Sequence, residues 1–330
     1  MEEIDAIIEQ AGMEEETQTD SEAEMETQEI ASVQEEESYA AKLERLGIPN
    51  IDLEDASDPL AVSDYVLDIF DYLKDLEIRY LPKANYMESQ TDITWKMRST
   101  VINWLVDVHF KFKLQAETLF LCVNILDRFL AEKTVMKDKL QLAGIAAMLI
   151  ASKFEEIYAP TIQEFMYLCN DAFTVEELLR TERTILLTLG FRLGVPCALT
   201  FLRRISKAEQ YDIPSRTVAK YLIEAATLDE KFISYPPSLL AAASTWLSRK
   251  MLKKGEWDNT LQFYSGYSEL QLEPCVNDML SFLQKNVKYR AVYKKYSSSK
   301  FLRASLFVEQ KINAWMNNEE GPVDAPSESS

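Results

Sequence analysis

The stretch QLAGIAAMLIASKFEE, residues 141–156, decides the fold. Its apolar, Ala-rich body is made of strong helix formers and reads as a buried helix. Its end is unusual. A buried helix ordinarily finishes on a solvated charge run, or on a cap and a turn. Here one cation, Lys153, and one aromatic, Phe154, sit together with Glu155 and Glu156 behind them. The arrangement is either a plain helix end with Phe154 in the core, or a surface built to meet a partner.

Outward from this stretch the chain reads as helix after helix. DPLAVSDYVLDIFDYLKDLE opens with Asp58 as a cap and Pro59 at the first helical position. Its apolar residues Val62, Val66, Ile69, Leu73 and Leu76 recur at three- and four-residue spacing. MRSTVINWLVDVHFKF carries Val101, Trp104, Leu105, Val108 and Phe112 in the same way, and AETLFLCVNILDRFLA follows it. After the opening stretch come the short TIQEFMYLC and then TVEELLRTERTILLTLGF. The second half echoes the first. LIEAATLDEKF resembles CVNILDRF, pairing Asp229 with Asp127. LAAASTWLSRK resembles IAAMLIASK, and YSELQL (267–272) resembles FTVEEL (173–178). Echoes in one order at similar offsets predict a duplicated helical unit of roughly a hundred residues. LGVPCALTF is the joint, because Gly194 and Pro196 stop a helix.

Composition agrees. Only 8 glycines occur in 330 residues, and the hydrophobic content of 47% suffices for one large domain or two of ordinary size. The expected class is all-α. The net charge of -19 is unevenly placed: residues 1–41 hold 15 of the 54 acids and no Lys or Arg. The rest carries 39 acids against 35 bases, too balanced for a phosphate-facing surface, so no nucleic-acid partner is expected. The first 41 residues lack the apolar surface to offset their ordering entropy and read as disordered. Residues 42–58 read as a linker with a few docking apolar groups. No CxxC pair occurs among Cys122, Cys169, Cys197 and Cys275, so no zinc or redox signature is present. Met1-Glu2-Glu3 does not open a secretory signal, and no apolar run reaches membrane-spanning length. These point to an intracellular protein with reduced thiols and no membrane partner.

Enzyme signatures such as GxGxxG, GxxxxGK[ST] and GxSxG are missing. The single histidine, His109, lies mid-helix beside a solvated face and reads as a surface or half-buried structural residue. One histidine cannot build a His-based metal cluster. A binding module with no cofactor is favoured over an enzyme.

The quoted helices resemble the cyclin family. MRSTVINWLVDVHFKF is similar to the MRAILVDWL helix that opens the cyclin box, ETLFLCVNILDRFL to its second helix, and KLQLAGIAAMLIASKFEEIYAP to its third. The resemblance runs from about Tyr65 to about Phe301. FLRRISKAEQYDIPSRTVAKYLIEAATLDEKF, YPPSLLAAA and FLRAS resemble mitotic B-type cyclins, and most the fungal kind. The fold this implies is a pair of tandem cyclin boxes, two consecutive five-helix domains, with an N-terminal packing helix and a disordered acidic tail. The implied boundaries are tail and linker 1–57, N-terminal helix and connector 58–95, first box 96–194, second box 195–300, and a C-terminal extension 301–330.

The resemblance implies a regulatory subunit that binds and allosterically activates a mitotic cyclin-dependent Ser/Thr kinase at the G2/M transition, in the nucleus and cytoplasm. Lys153, Phe154, Glu182, Leu186, Phe191 and Leu193 match kinase-contacting positions, with Ile69 and Tyr72 on the front helix as further contacts. A second site is implied for substrates or inhibitors bearing Arg-x-Leu motifs. Met97, Val101 and Trp104 share one helix face at i, i+4 and i+7, with Arg98 and Gln141 beside them and Asp107 to meet the ligand's Arg. Asn103 stands where the family has a box-stabilising Asp, which implies a modest stability cost. Ubiquitin-ligase machinery is a further implied partner, yet residues 1–41 hold no RxxL destruction box and the chain has no KEN triplet. The alternative is a cyclin-fold transcription or scaffold protein; the near-neutral core and missing cysteine pairs argue against it.

Overall fold

A computed structural model describes residues 39–170, 172–285 and 290–317. Most of the acidic tail, residues 1–38, and the last residues, 318–330, lie outside this range. Among the described residues there are fourteen α-helices and no strand. The chain divides into two compact units at Asn50–Ile51. In the first, Tyr39–Leu46 forms helix α1, where the sequence suggested tail and linker.

The second unit opens with α2, Val66–Arg79. It starts well after the expected Asp58–Pro59. Asp58 Oδ1 accepts from Leu60 N instead, making a local turn, and Val62 takes a left-handed conformation that breaks the helical path. Five helices follow: α3 Trp95–Phe112, α4 Ala116–Glu132, α5 Leu140–Glu155, α6 Ile162–Leu168 and α7 Val175–Thr188. Their starts obey local rules. Thr94 caps α3, while Thr161 with Glu164 and Thr174 with Glu177 form capping boxes at α6 and α7. The quoted stretch is α5, buried on every side from Leu142 to Ser152, the environment that an all-apolar helix demands. Gly144 is what admits α3 to it. A Cβ at that position would stand 2.8 Å from Val101 Cγ1.

A second set repeats the first: α8 Ala198–Ala208, α9 Ile213–Ala226, α10 Pro237–Leu252, α11 Asn259–Ser265 and α12 Glu269–Gln284. Ala116 and Ile213, Leu140 and Pro237, and Ile162 and Asn259 each open corresponding helices 97 residues apart. α7 and α12 both begin with capping boxes, at Thr174 and Ser268, 94 residues apart. The duplication is real, but one expected pairing is not. Asp229 lies after α9, capping a 3-10 turn by accepting from Lys231 N. The residue in register with Asp127 is Glu224. Both are buried carboxylates that carry an ion pair, to Arg98 and Lys295 respectively. Helices α13, Arg290–Tyr296, and α14, Ala304–Met316, complete the described chain.

The two sets are stitched together through α3. Arg98 forms a bidentate pair with Asp127, both contacts at 2.6 Å, and its remaining Nη1 donates to Thr227 O at 3.0 Å. Tyr86 OH also donates to Asp127, at 2.8 Å, and Ser99 Oγ donates to Leu228 O at 2.6 Å. Ahead of α2, Asp52 pairs with Arg204 and Lys207 of α8. Burial raises its pKa, but the two cations outweigh this and hold the carboxyl below the usual 3.8.

Candidate functional site

The end of α5 remains at the surface. Lys153 Nζ reaches Glu182 Oε1 of α7 at 2.6 Å, with the lysine side chain half exposed and the glutamate nearly covered. Phe154 is 52% exposed, so it is not a core residue. Glu156 explains why the helix stops there. Its carboxylate accepts from Gln115 N at 2.7 Å and from Thr118 Oγ1, capping α4, whose own N-cap residue makes no side-chain cap. That anchors the chain just after Lys153 and Phe154 and leaves Ile157 and Tyr158 almost fully exposed.

α7 supplies the other half of the edge. Leu178 and Ile185 face the core, while Leu179, Glu182, Arg183, Leu186 and Leu187 line a shallow hollow closed by Phe191. Phe191 is 63% exposed and held at φ +58°, directly after Gly190 at +59°. A bulky residue in the left-handed region is strained by about 1–3 kcal/mol, and here the turn points an aromatic ring outward. Leu193 is half-buried behind it. The structure therefore brings Lys153, Phe154, Glu182, Leu186 and Phe191 onto one edge. Leu179 and Leu187 belong to the same surface, and the sequence did not single them out. The signal for the leucines was a second apolar stripe on α7 beside the core-facing one.

Ile69 and Tyr72 lie on α2, 40% and 62% exposed. Arg128 of α4 links that element to the edge: it lies over the Tyr80 ring at 4.9 Å and donates to Arg192 O at 2.9 Å.

Of the second predicted set, Met97, Val101, Trp104 and Gln141 are half-buried around the close approach of α3 to α5, and Asp107 is exposed. Arg98 does not belong with them. At 1% exposure and fully engaged with Asp127 and Thr227, it faces the interior. A helix places residues 97 and 98 about 100° apart, enough to separate a surface residue from a core one. His109 is likewise buried, at 4%, where the sequence suggested a surface or half-buried position. Asn103 Oδ1 accepts from Ala291 N at 3.1 Å, tying α3 to α13. Among the described residues, no group of three His, Cys, Asp or Glu side chains could hold a metal ion, and no helix is long and apolar enough to cross a membrane.

Residues 68–194 match the family Cyclin, N-terminal domain, and residues 196–310 match Cyclin, C-terminal domain. The G2/mitotic-specific cyclin cdc13 of Schizosaccharomyces pombe is 51% identical over 263 residues, 80% of this chain and 55% of that protein. The G2/mitotic-specific cyclin-B of Emericella nidulans is 44% identical over 287 residues, 86% of this chain and 60% of that protein. The chain thus spans 55% and 60% of the lengths of these two relatives. A viral cyclin from herpesvirus saimiri has a similar structure, with a TM-score of 0.58 at 26% identity, covering 67% of this chain and 99% of that one. Two matched domains, a repeated set of five helices and this degree of identity have one meaning: the chain belongs to the cyclin family.

Proposed function

We propose that this chain is a non-catalytic regulatory subunit that binds and activates a cyclin-dependent Ser/Thr kinase at the G2/M transition, acting in the nucleus and cytoplasm. The observation that carries the reading is the exposed edge formed by the Lys153–Glu182 pair, Phe154 and Phe191. An ion pair this exposed contributes about 0–1 kcal/mol to folding. Its geometry is better explained by a partner: Lys153 retains donors for backbone carbonyls, Glu182 holds the lysine in place, and Phe154 and Phe191 bring apolar area. Activation follows from binding the kinase's active conformation more tightly than its inactive one, which assembles the catalytic Lys–Glu pair and the metal-binding Asp of the kinase. Met97, Val101, Trp104 and Gln141 form a shallow docking groove for substrates or inhibitors with Arg-x-Leu motifs, with Asp107 placed to meet the arginine.

The test is histone-peptide phosphorylation by a purified monomeric cell-cycle kinase, with the wild-type chain or the Lys153→Ala, Glu182→Ala variant. Strong activation by the wild type and its loss in the double variant is the expected result. Removing a polar pair that becomes desolvated at an interface costs about 2–5 kcal/mol. A folded wild-type chain that neither binds nor activates several such kinases overturns the reading in favour of a scaffold or transcriptional role.

A further inference from the structure

Helix α10 begins on Pro236 and Pro237, neither of which has a side chain able to cap it. Its first free backbone donor, Ser238 N, is satisfied from 161 residues away. Glu77 Oε2, near the end of α2, accepts from it at 2.7 Å, and Glu77 Oε1 accepts from Ser238 Oγ at 2.6 Å. Tyr267 OH completes the group, 2.7 Å from Ser238 Oγ. Glu77 is 3% exposed and makes no ion pair within it. A carboxylate is buried this way at a helix N-terminus because orphan N–H groups and the helix dipole both favour negative charge there. Burial still pushes its pKa up, with the Ser238 donors opposing that shift.

The rest of α2 is held by packing and cation–π contacts: Leu73 lies against the core and Arg204 stacks on Phe70 at 5.2 Å. Leu76 is buried, Phe70 packs on Phe201 at 6.1 Å, and Lys74 lies over the Gly266–Tyr267 turn. Gly266 permits that last contact: at φ +80°, its missing Cβ would fall 2.4 Å from Lys74 Nζ. Leu67, Ile69, Tyr72 and Ile78 are exposed. Apolar contacts of this kind fix the distance of a helix from its support but only weakly its rotation. The two directional bonds of Glu77 fix the rotation. Tyr72 lies five residues earlier, about 140° around the helix, so seating Glu77 turns Tyr72 outward.

We infer that Glu77 is a positioning residue: by capping α10 from outside, it sets the rotation of α2 and so the presentation of Ile69 and Tyr72 to the kinase. The part concerning the kinase rests on the reading proposed above; the part concerning α2 stands on this chain alone. The experiment has two arms, using the full chain as wild type, Glu77→Gln, Glu77→Ala, Tyr72→Ala and the Glu77→Ala, Tyr72→Ala double variant. In the first arm, amide exchange across residues 66–79 should accelerate about tenfold or more in Glu77→Ala, less in Glu77→Gln, which retains one acceptor, and little in α4 or α9. In the second, kinase affinity should fall in Glu77→Ala, and adding Tyr72→Ala should then cost less than about twofold, well below its effect in the wild type. Unchanged exchange in α2, or a Tyr72→Ala penalty equal in both backgrounds, overturns the inference. A wild-type chain that binds no kinase overturns the proposed function instead, and the exchange arm alone then decides whether Glu77 positions α2.

Discussion

His109 is the chain's one histidine, and it is buried with Nε2 donating to Gln115 O at 2.7 Å while Nδ1 has no partner among the described residues. Burial first, and the nearby Lys295 second, push its pKa below the ordinary 6.5, against weaker opposing effects of Gln115, Glu224 and Glu156. The folded state therefore holds it neutral, while the unfolded chain protonates it as pH falls through about 6.5. The stability tied to this group is complete above that pH and is lost progressively below it. Glu77 and Glu209, whose carboxyls burial pushes up, act in the opposite direction. The comparison must therefore be with a variant: urea midpoints measured from pH 7 to 5 should fall more steeply for the wild type than for His109→Gln. Equal slopes would show that His109 titrates normally. The burial was partly legible. His109 lies in register with Arg98, Ile102 and Leu105, at helical spacing, and all four are core residues. A search for apolar periodicity sees that stripe only in part, because two of its members are polar. It takes Leu105 from that stripe and sets it beside the half-buried Val101 and Trp104, while the polar Arg98 and His109 drop out.

Helix α3 is the element that makes one unit of two boxes, and Arg98 is its key contact. The pair with Asp127 is buried on both sides, at 1% and 4% side-chain exposure. Such a pair adds little over a well-packed apolar substitute, but breaking it strands a charge. Arg98→Ala should therefore cost about 3–5 kcal/mol, read as a lowered midpoint in urea. Replacing Arg98 with Met and Asp127 with Leu together should recover much of that loss. If Arg98→Ala costs less than about 1 kcal/mol, the pair is solvated and the interior placement is wrong. The elements themselves were largely readable. Thr161, Thr174 and Ser268 open their helices by capping signals that are local in sequence. The start of α2 was not, because Asp58–Pro59 is an equally good local signal for a turn, and only the left-handed Val62 separates the two outcomes.

Across the whole second unit, α13 acts as a strap. Ala291 N donates to Asn103 of the first box, while Lys295 pairs with Glu224 of the second at 2.8 and 2.7 Å, joined by Tyr296 OH at 3.0 Å. Asn103 thus supplies a neutral acceptor that ties the first box to α13. Glu224→Ala should cost about 3–5 kcal/mol by leaving Lys295 buried and unpaired. Asn103→Ala should cost about 1 kcal/mol, the usual net value of one hydrogen bond. Because both act through one short helix, the double variant should lose less than the sum of the two in equilibrium unfolding. Strict additivity would mean that α13 does not couple the boxes. The sequence by itself determined the all-helical class and the duplication, since these rest on composition, 3.6-residue periodicity and local caps; it left open whether Phe154 lies in the core, and the fold places it at the surface. Only the tertiary structure decided that Arg98 and His109 face inward, that Glu224 answers Asp127, and that Glu77 and Glu156 cap helices to which they do not belong. Except for His109, whose partner Gln115 is six residues on, each of those depends on a partner far away in the chain, and a polar residue's preference for core or surface is set by whether such a partner is there to receive it.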